Sequence, residues 1–155
     1  MLIERSTPAD FPAIEALLGE SGLPLDGASS AFGTGLVARA GDRIVGCAAI
    51  EPYGSAGLLR SVAVAPELRG SGVGRQLVSA AEALAADLRI REIYLLTETA
   101  IDWFPRLGYA PIDRATVPAA VTTSVEFVTA CAVTAVAMAR RLPEGEDPLT
   151  SLRWT

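Results

Sequence analysis

The chain of 155 residues is half apolar and carries a formal net charge of −5. This length and composition predict one domain with a sizeable core, and the acidic balance argues against a general nucleic-acid binder, which needs a basic face. Histidine is absent and all 13 basic side chains are arginines, which excludes histidine-based catalytic or metal sites, Schiff-base lysines and the P-loop lysine.

Apolar periodicity and turn residues divide the chain into alternating strands and helices. In chain order, the first half predicts a strand at 2–5, a helix capped by Thr7 with Asp10 and ended by Gly22, a loop or short helix at 22–35, and a hairpin of 35–40 with 43–54. The second half predicts a strand at 57–64, a helix at 72–88, a strand at 92–97 and a short helix at 99–109 that Pro105 must end or kink. A strand near 109–113, a partly helical segment from 117 and a last strand at 134–142 follow. An antiparallel meander followed by strand–helix alternation predicts a mixed α+β sheet of six or seven strands.

The lengths of the apolar runs and the spacing of the cysteines indicate in which cellular compartment the protein is expected. No apolar run reaches the roughly 18 residues of a membrane span, and the start MLIERSTPAD lacks the features of a signal peptide. Cys47 and Cys131 are far apart and have no metal-ligand spacing. We therefore expect reduced thiols, no metal, no membrane partner and a cytoplasmic protein.

A glycine-rich turn joins the strand at 57–64 to the helix at 72–88 within LLRSVAVAPELRGSGVGRQLVSAAEALA. Gly70, Gly72 and Gly74 alternate along the turn, and Arg69 and Arg75 flank it. Backbone N–H groups at a helix start are unpaired and partly positive, and glycines let several of them point at one anion. The turn therefore predicts a pyrophosphate site, with a plain strand-to-helix connection as the alternative. The GxGxG spacing after a mid-chain strand does not favour a dinucleotide fold.

The fuller pattern Val62-x-Val64-x-Pro66-x-x-Arg69-x-x-Gly72-x-Gly74 resembles the signature of the GNAT superfamily of N-acetyltransferases. The later run WFPRLGY, residues 103–109, resembles that superfamily's second landmark. More narrowly, the sequence resembles the acetyltransferase domain of N-acetylglutamate synthases and, more closely, small N-acetyltransferases associated with arsenic-resistance operons. The resemblance implies a GNAT-type sheet with splayed central strands and flanking helices, an acetyltransferase domain at 1–142 and a polar tail at 143–155.

The resemblance also implies where acetyl-CoA binds. In the superfamily, backbone N–H groups of the turn hold the coenzyme A pyrophosphate, and the strand before it pairs with the pantetheine arm. The cofactor-binding residues implied here are Val62, Val64, Arg69, Gly70, Gly72, Val73, Gly74 and Arg75. The Val62 N–H would polarise the acetyl carbonyl, which is an oxyanion-hole role.

The candidate catalytic residues are Thr97, Glu98 and Glu51. The tyrosine that protonates the leaving thiolate in many members is replaced by Phe104, and Thr97 matches a hydroxyl that assists the sulfur in the synthase-like branch. A helix-capping threonine is the alternative for Thr97. For the general base we name Glu98 first and Glu51 second; the alternative for each is a solvated carboxylate at a strand end.

Arg60 and Ser61 interrupt an apolar strand, and a charge there is costly unless it is paired. If the strand alternates, Arg60 shares a face with Val62 and Val64. We expect Arg60 and Ser61 to contact the acceptor, with Arg60 binding an anionic group, or else pairing with Glu51 or Glu98. Aromatic residues of the second landmark are expected to pack, and Arg114 is a further acceptor or partner candidate.

These observations predict an acetyl-CoA-dependent N-acetyltransferase that acts by direct transfer on a small primary amine. The acceptor is expected to be amino-acid-like or a toxic amine, such as an arsenic-containing amino acid. Because Phe104 replaces the usual acid, the alternative is a catalytically weak acyl-CoA-binding or sensing protein. Superfamily members are often dimers, so the resemblance also implies a homodimer.

Overall fold

A computed structural model describes residues 1–124 and 134–143. Within these ranges the chain forms one mixed sheet in the order β1-β2-β3-β4-β5-β7-β6. The strands are β1 (Leu2–Arg5), β2 (Gly35–Ala40), β3 (Arg43–Tyr53), β4 (Ala56–Val64), β5 (Glu92–Thr97), β6 (Ala110–Pro111) and β7 (Val136–Arg141). The α-helices are α1 (Phe11–Glu20), α2 (Ala28–Ala31), α3 (Val73–Asp87) and α4 (Ala119–Thr122). The predicted α+β class is confirmed, and the sheet of six or seven strands expected from the sequence has seven.

Helices cover both faces of the sheet. Gly46 of β3 lies under Val73 and Leu77 of α3, and a Cβ added there would come within 2.7 Å of Leu77. Gly35, on the opposite face, lies in the same way under Phe32. Burying a side chain such as Leu77 contributes about 2 kcal/mol. The main core therefore lies between β2–β4 and these two helical layers, and a smaller cluster lies under α4.

The two central strands separate along their length. β4 and β5 run parallel and pair only where Ala56–Leu58 face Glu92–Tyr94. Beyond those residues, no pairing between β4 and β5 occurs in the described part of the chain. The predicted splay is confirmed, and it leaves one backbone edge of the C-terminal half of β4 open.

A β-bulge interrupts β4 on its other side. Arg60 lies opposite Ala49, whereas Ala63 lies opposite Cys47, so β4 has one extra residue in this stretch. Ser61 takes up that residue with a left-handed φ of 58°. Because the bulge shifts the alternation, Arg60 shares a face with Ala63. The expectation that Arg60 faces the same way as Val62 and Val64 is wrong.

The segment after β5 also differs from the expected helix at 99–109. A turn runs through 101–103, and only Phe104–Leu107 are helical, as one 3-10 turn. Pro105 has no N–H to donate and clashes with the preceding turn of an α-helix, so an α-helix cannot extend through it. The following strand is reduced to Ala110–Pro111.

Some predictions fall outside the described residues. The helical segment from 117 is confirmed only as α4, because 125–133 are not described, and Cys131 lies there. Residues 144–155 of the predicted tail also lie outside. No helix in the described part of the chain is long and apolar enough to cross a membrane. Those residues also contain no group of three or more histidine, cysteine, aspartate or glutamate side chains suited to a metal ion.

Candidate functional site

The glycine turn has the backbone conformation that an anion cradle requires. Gly70 and Gly72 have φ values of 83° and 93°, which L side chains rarely adopt. The first bond of α3 runs from the Gln76 N–H to the Gly72 carbonyl, at 3.1 Å. The N–H groups of the first turn therefore lack partners within the helix. Gly74 serves another purpose, since a Cβ there would lie 3.1 Å from the Trp103 ring.

A cavity of about 770 Å³ opens beside this turn. It is bounded by the turn, by the free half of β4 and by the 3-10 segment after β5. Among the predicted cofactor residues, the cavity is lined by Val62, Val64, Arg69, Gly70, Gly72, Gly74 and Arg75. Val73 does not line the cavity, because its side chain is buried against the core. Val73 can therefore contribute only its N–H group.

Three arginines surround this larger cavity. Arg69 donates to the Val64 carbonyl at 3.2 Å, and Arg75 donates to the Arg106 carbonyl at 3.5 Å. In the part of the chain that the structure describes, Arg69, Arg75 and Arg106 form no ion pair with a carboxylate. Their uncompensated charges make the mouth of the cavity positive in an otherwise acidic chain, which favours a polyanionic ligand.

A smaller cavity of about 280 Å³ lies where β4 and β5 separate. The two cavities adjoin, because six residues line both: Ser21, Leu23, Val62, Thr99, Ala100 and Phe104. Thr97, Glu98, Arg60 and Ser61 line only the smaller cavity. The splay predicted for the central strands therefore creates the space in which predicted catalytic and acceptor residues meet.

Thr97 and Glu98 differ in burial. Thr97 is buried, and its Oγ1 accepts a bond of 3.0 Å from the Ala100 N–H. Because Oγ1 accepts that bond, the hydroxyl proton stays available to a second partner. Glu98 is exposed and accepts a bond of 3.2 Å from the Thr134 hydroxyl. Both expected roles of Thr97, capping a turn and lining the site, are compatible with this geometry.

Glu51 lines neither cavity. Its carboxylate accepts a bond of 2.9 Å from the Tyr53 hydroxyl, and its side chain is only 14% exposed. Burial, and then the Glu51 carboxylate, raise the pKa of Tyr53 to about 12, so this tyrosine stays protonated. Burial raises the pKa of the Cys47 thiol to about 12 as well. Neither group can act as an ionised nucleophile near neutral pH.

The Arg60 guanidinium lies beneath the smaller cavity with no exposed side-chain surface. Its Nη2 donates to the Asp26 carbonyl at 2.7 Å, and its Nε donates to the Ser61 hydroxyl at 3.1 Å. Its Nη1 lies 3.6 Å from the Glu51 carboxylate. Of the two partners expected for an ion pair, the structure brings Glu51 to Arg60.

The aromatic residues of the WFPRLGY run pack against one another, as expected. Phe104 makes edge contacts with Trp103 at 4.8 Å and with Tyr109 at 5.7 Å between ring centroids. Tyr109 is buried and donates to Glu82 at 2.9 Å. Trp103 and Phe104 also line the larger cavity, which the place of Phe104 at the usual acid position implied for Phe104 but which was not predicted for Trp103. Arg114 lines neither cavity and donates to the Ala135 carbonyl at 2.7 Å.

Several other lining residues were not predicted from the sequence. Arg106 is one of them. Its position in the WFPRLGY run, close to the aromatic pair, could have indicated that it lines the site. Ser21 and Leu23 come from the loop after α1, where no local pattern distinguishes a cavity wall from an ordinary turn. Only the tertiary fold brings that loop to the end of β4.

Comparisons with known proteins agree with this geometry. Residues 31–111 match the family model of the acetyltransferase (GNAT) domain. An uncharacterised N-acetyltransferase of Chlorobaculum tepidum is 37% identical over 73 residues, which are 46% of each chain. An amino-acid acetyltransferase of Salmonella typhi is 33% identical over 76 residues, 48% of this chain and 17% of the relative. The chain thus matches less than half of the length of these curated relatives.

Two solved structures share the fold across most of the chain. Rv2747 of Mycobacterium tuberculosis, in a complex with CoA, has a TM-score of 0.78 and 24% identity over 92% of this chain and 100% of its own. N-acetylglutamate synthase of Neisseria gonorrhoeae, complexed with coenzyme A and N-acetyl-glutamate, has a TM-score of 0.79 and 20% identity over 92% of this chain and 35% of its own.

Proposed function

Since the chain belongs to the acetyltransferase (GNAT) domain family, we propose that it is an acetyl-CoA-dependent N-acetyltransferase acting on a small primary amine. The observation that carries this proposal is the pair of adjoining cavities at the split between β4 and β5. One is bordered by anion-binding groups, and the other by a carboxylate and a hydroxyl. Val62 lies in the wall of both.

Coenzyme A fits the residues of the larger cavity. The N–H groups of the glycine turn suit a pyrophosphate, and the arginines at the mouth suit its negative charge. The open backbone edge of β4 at Val62 and Val64 suits an extended amide-containing arm, which can add to a sheet like a further strand. We therefore assign Val62, Val64 and the Arg69–Arg75 turn to coenzyme A.

Acetyl-CoA supplies a thioester: the amine bonds to the acetyl carbon, the carbon–sulfur bond breaks, and an amide, a thiol and one proton from the ammonium result. The Val62 N–H is assigned to the acetyl oxygen, where a positioned donor stabilises developing negative charge. The Thr97 hydroxyl is assigned to the sulfur, because its proton is not used in the bond from Ala100.

Glu98 is the proposed general base, since it lines the smaller cavity and is open to solvent. It receives the ammonium proton directly or through one water, and then releases it to solvent. Glu51, the second candidate, would need a relay, because it lines neither cavity and is held by Tyr53.

The smaller cavity, with Arg60 and Ser61 in its wall, is the proposed acceptor site. Its volume of about 280 Å³ suits a molecule of amino-acid size, and the match to amino-acid acetyltransferases supports an amino-acid-like amine. A toxic or arsenic-containing acceptor, a cytoplasmic location and a homodimer are narrower proposals that rest on the sequence alone. The competing proposal, an acyl-CoA-binding or sensing protein with weak catalysis, is favoured by Phe104 at the wall of both cavities.

The coenzyme A assignment is tested by Gly72→Glu. A carboxylate at this left-handed position would lie beside the N–H cradle, so we expect coenzyme A affinity to fall about 100-fold through repulsion and lost charge-assisted bonds. Isothermal titration calorimetry of the purified variant measures this change, and thermal unfolding shows whether the variant is folded.

Gly41→Glu is the matched control, because Gly41 also has a positive φ of 62° and open space around its Cβ position, but lies in the β2–β3 turn. It should show the same backbone strain and retain coenzyme A affinity. If Gly72→Glu bound coenzyme A as tightly as the unmodified protein, the glycine turn would not be part of the binding site. Preferential binding of NAD over coenzyme A by the unmodified protein would refute both acyl-CoA proposals.

A further inference from the structure

Arg60 is an expensive residue to bury. Its side chain has no exposed surface, and removing such a charge from water costs several kcal/mol unless partners compensate. Compensation is incomplete here, since the nearest carboxylate oxygen, on Glu51, is 3.6 Å from Nη1. Nη1 is the only buried side-chain nitrogen or oxygen without a hydrogen-bond partner in the described part of the chain. A buried group that is only partly satisfied calls for an explanation beyond stability.

The other two contacts of the guanidinium supply that explanation. Nη2 bonds the carbonyl of Asp26, and Nε bonds the Ser61 hydroxyl next to it in sequence. Asp26 belongs to residues 21–27 between α1 and α2, which we call the wall loop. Ser21, Gly22, Leu23 and Pro24 of the wall loop line the smaller cavity. Arg60 therefore joins the loop on one side of this cavity to the bulged strand on the other.

Few other polar contacts hold the wall loop on the sheet. Its described backbone bonds are local, such as Gly22 N–H to Gly19 at 3.1 Å and Leu23 N–H to Leu18 at 3.0 Å. Arg69 reaches the Ser21 hydroxyl, but at 3.5 Å and at an exposed position. By contrast, the bond from Arg60 to Asp26 is short and charge-assisted, and its donor side chain has no exposed surface, conditions that strengthen a hydrogen bond.

We propose that Arg60 is a positioning residue: its guanidinium ties the wall loop to the β4 bulge and thereby sets the width of the acceptor cavity. The inference rests on the proposed acetyl transfer for its kinetic consequence, but not for its structural one. Because the guanidinium has no exposed surface, it acts on the acceptor through the loop and not by contact. Coenzyme A is anchored mainly at the glycine turn, so its binding depends less on this tie.

The test compares Arg60→Met with Arg140→Met. Methionine fills a similar volume without charge. Arg140 is a matched control, since it is part-buried, bonds Glu82 at 2.7 Å and lines neither cavity. We expect faster amide hydrogen exchange across the wall loop in Arg60→Met, and unchanged exchange there in Arg140→Met. Unchanged exchange in Arg60→Met would overturn the inference, whether or not the protein proves to be an acetyltransferase.

Kinetics supply the second readout. With any amine that the unmodified protein acetylates, the acceptor KM should rise about tenfold in Arg60→Met while the KM for acetyl-CoA changes little. The rise should be equal for an amino acid and for its uncharged amide. A rise confined to the carboxylate-bearing acceptor would show that Arg60 binds an anionic group directly, and the positioning role would be wrong.

Arg60→Lys keeps the proposal testable if the methionine variant does not fold. An ammonium keeps the charge but lacks the planar fork that serves Asp26 and Ser61 together. If both variants fold, we expect the hydrogen exchange of the wall loop and the acceptor KM of Arg60→Lys to lie between those of the unmodified protein and Arg60→Met. If only Arg60→Lys folds, both quantities should exceed those of the unmodified protein. Values equal to those of the unmodified protein would contradict the proposal.

Discussion

Glu98 directly follows β5 and Glu51 lies near the end of β3, yet their surroundings differ. Glu98 is exposed at the acceptor cavity, where an incoming ammonium can reach it. Glu51 is turned toward Tyr53 and Arg60, and its carboxylate is already engaged. A general base must lie within reach of the proton that it removes. This geometry favours Glu98, although both carboxylates ended a strand in the sequence.

We therefore expect Glu98→Gln to lower kcat about 100-fold and to flatten the rise of the rate with pH. The glutamine keeps the shape and the acceptor oxygen for Thr134 but cannot take up a proton. The pH–rate profile with a saturating amine measures the effect. Glu51→Gln is the comparison and should retain the rise; a flattened profile in that variant alone would make Glu51 the base.

At this scale, the sequence predicted motifs better than orientations. The glycine turn was recognisable because its spacing is local. The orientation of Arg60 was not, because the bulge uses Ser61 in a left-handed conformation that a glycine would ordinarily mark. The loss of a hydroxyl at Phe104 was visible in the sequence, whereas its place in the wall of both cavities depends on packing.

The start of the first helix is fixed by a charged cluster that links it to the sheet. Asp10 accepts a bond of 2.8 Å from the Thr7 N–H and another of 2.8 Å from Arg39 of β2. Arg39 also bonds Glu4 of β1. Hydrogen bonding to Arg39 is the main cause that lowers the pKa of the Asp10 carboxyl, against the opposing effect of its burial.

This cluster predicts a pH-dependent stability. A lowered pKa in the folded state stabilises the protein above the unfolded value of about 4, and this contribution is lost as pH falls through the folded value. Asp10→Asn should therefore unfold about 1–2 kcal/mol more easily at neutral pH, with the difference shrinking in acid. Urea titrations at several pH values measure it. Asp42→Asn, at an exposed turn, should show no such difference; a gap for Asp10→Asn that persists in acid would contradict the account.

Strands were easier to predict than the segments between them. The hairpin of β2 and β3 and the strands β4 and β5 follow from runs of apolar residues bounded by turns. The helix expected at 99–109 is reduced to the 3-10 turn Phe104–Leu107, because an α-helix cannot continue through Pro105. The wall loop has no periodic apolar pattern from which its position could be predicted. Its bond to the sheet, from Arg60 to the Asp26 carbonyl, joins residues that are far apart in the sequence.

For the whole molecule, the proposed function rests on an interruption in the sheet. β4 leaves β5 after three paired residues on each strand, and the gap becomes the junction of the two cavities. The chain is acidic as a whole, yet Arg69, Arg75 and Arg106 concentrate positive charge at one entrance. Sequence resemblance predicted this architecture, while the continuity of the two cavities could be seen only in three dimensions.

The central claim, that these cavities serve acetyl transfer to a small amine, is tested most directly by thiol release from acetyl-CoA with a panel of primary amines. We predict that at least one amine accelerates release, with one amide formed per thiol, in the unmodified protein and in Gly41→Glu but not in Gly72→Glu. Tight binding of coenzyme A with no acceleration by any amine would contradict the claim and leave an acyl-CoA-binding protein.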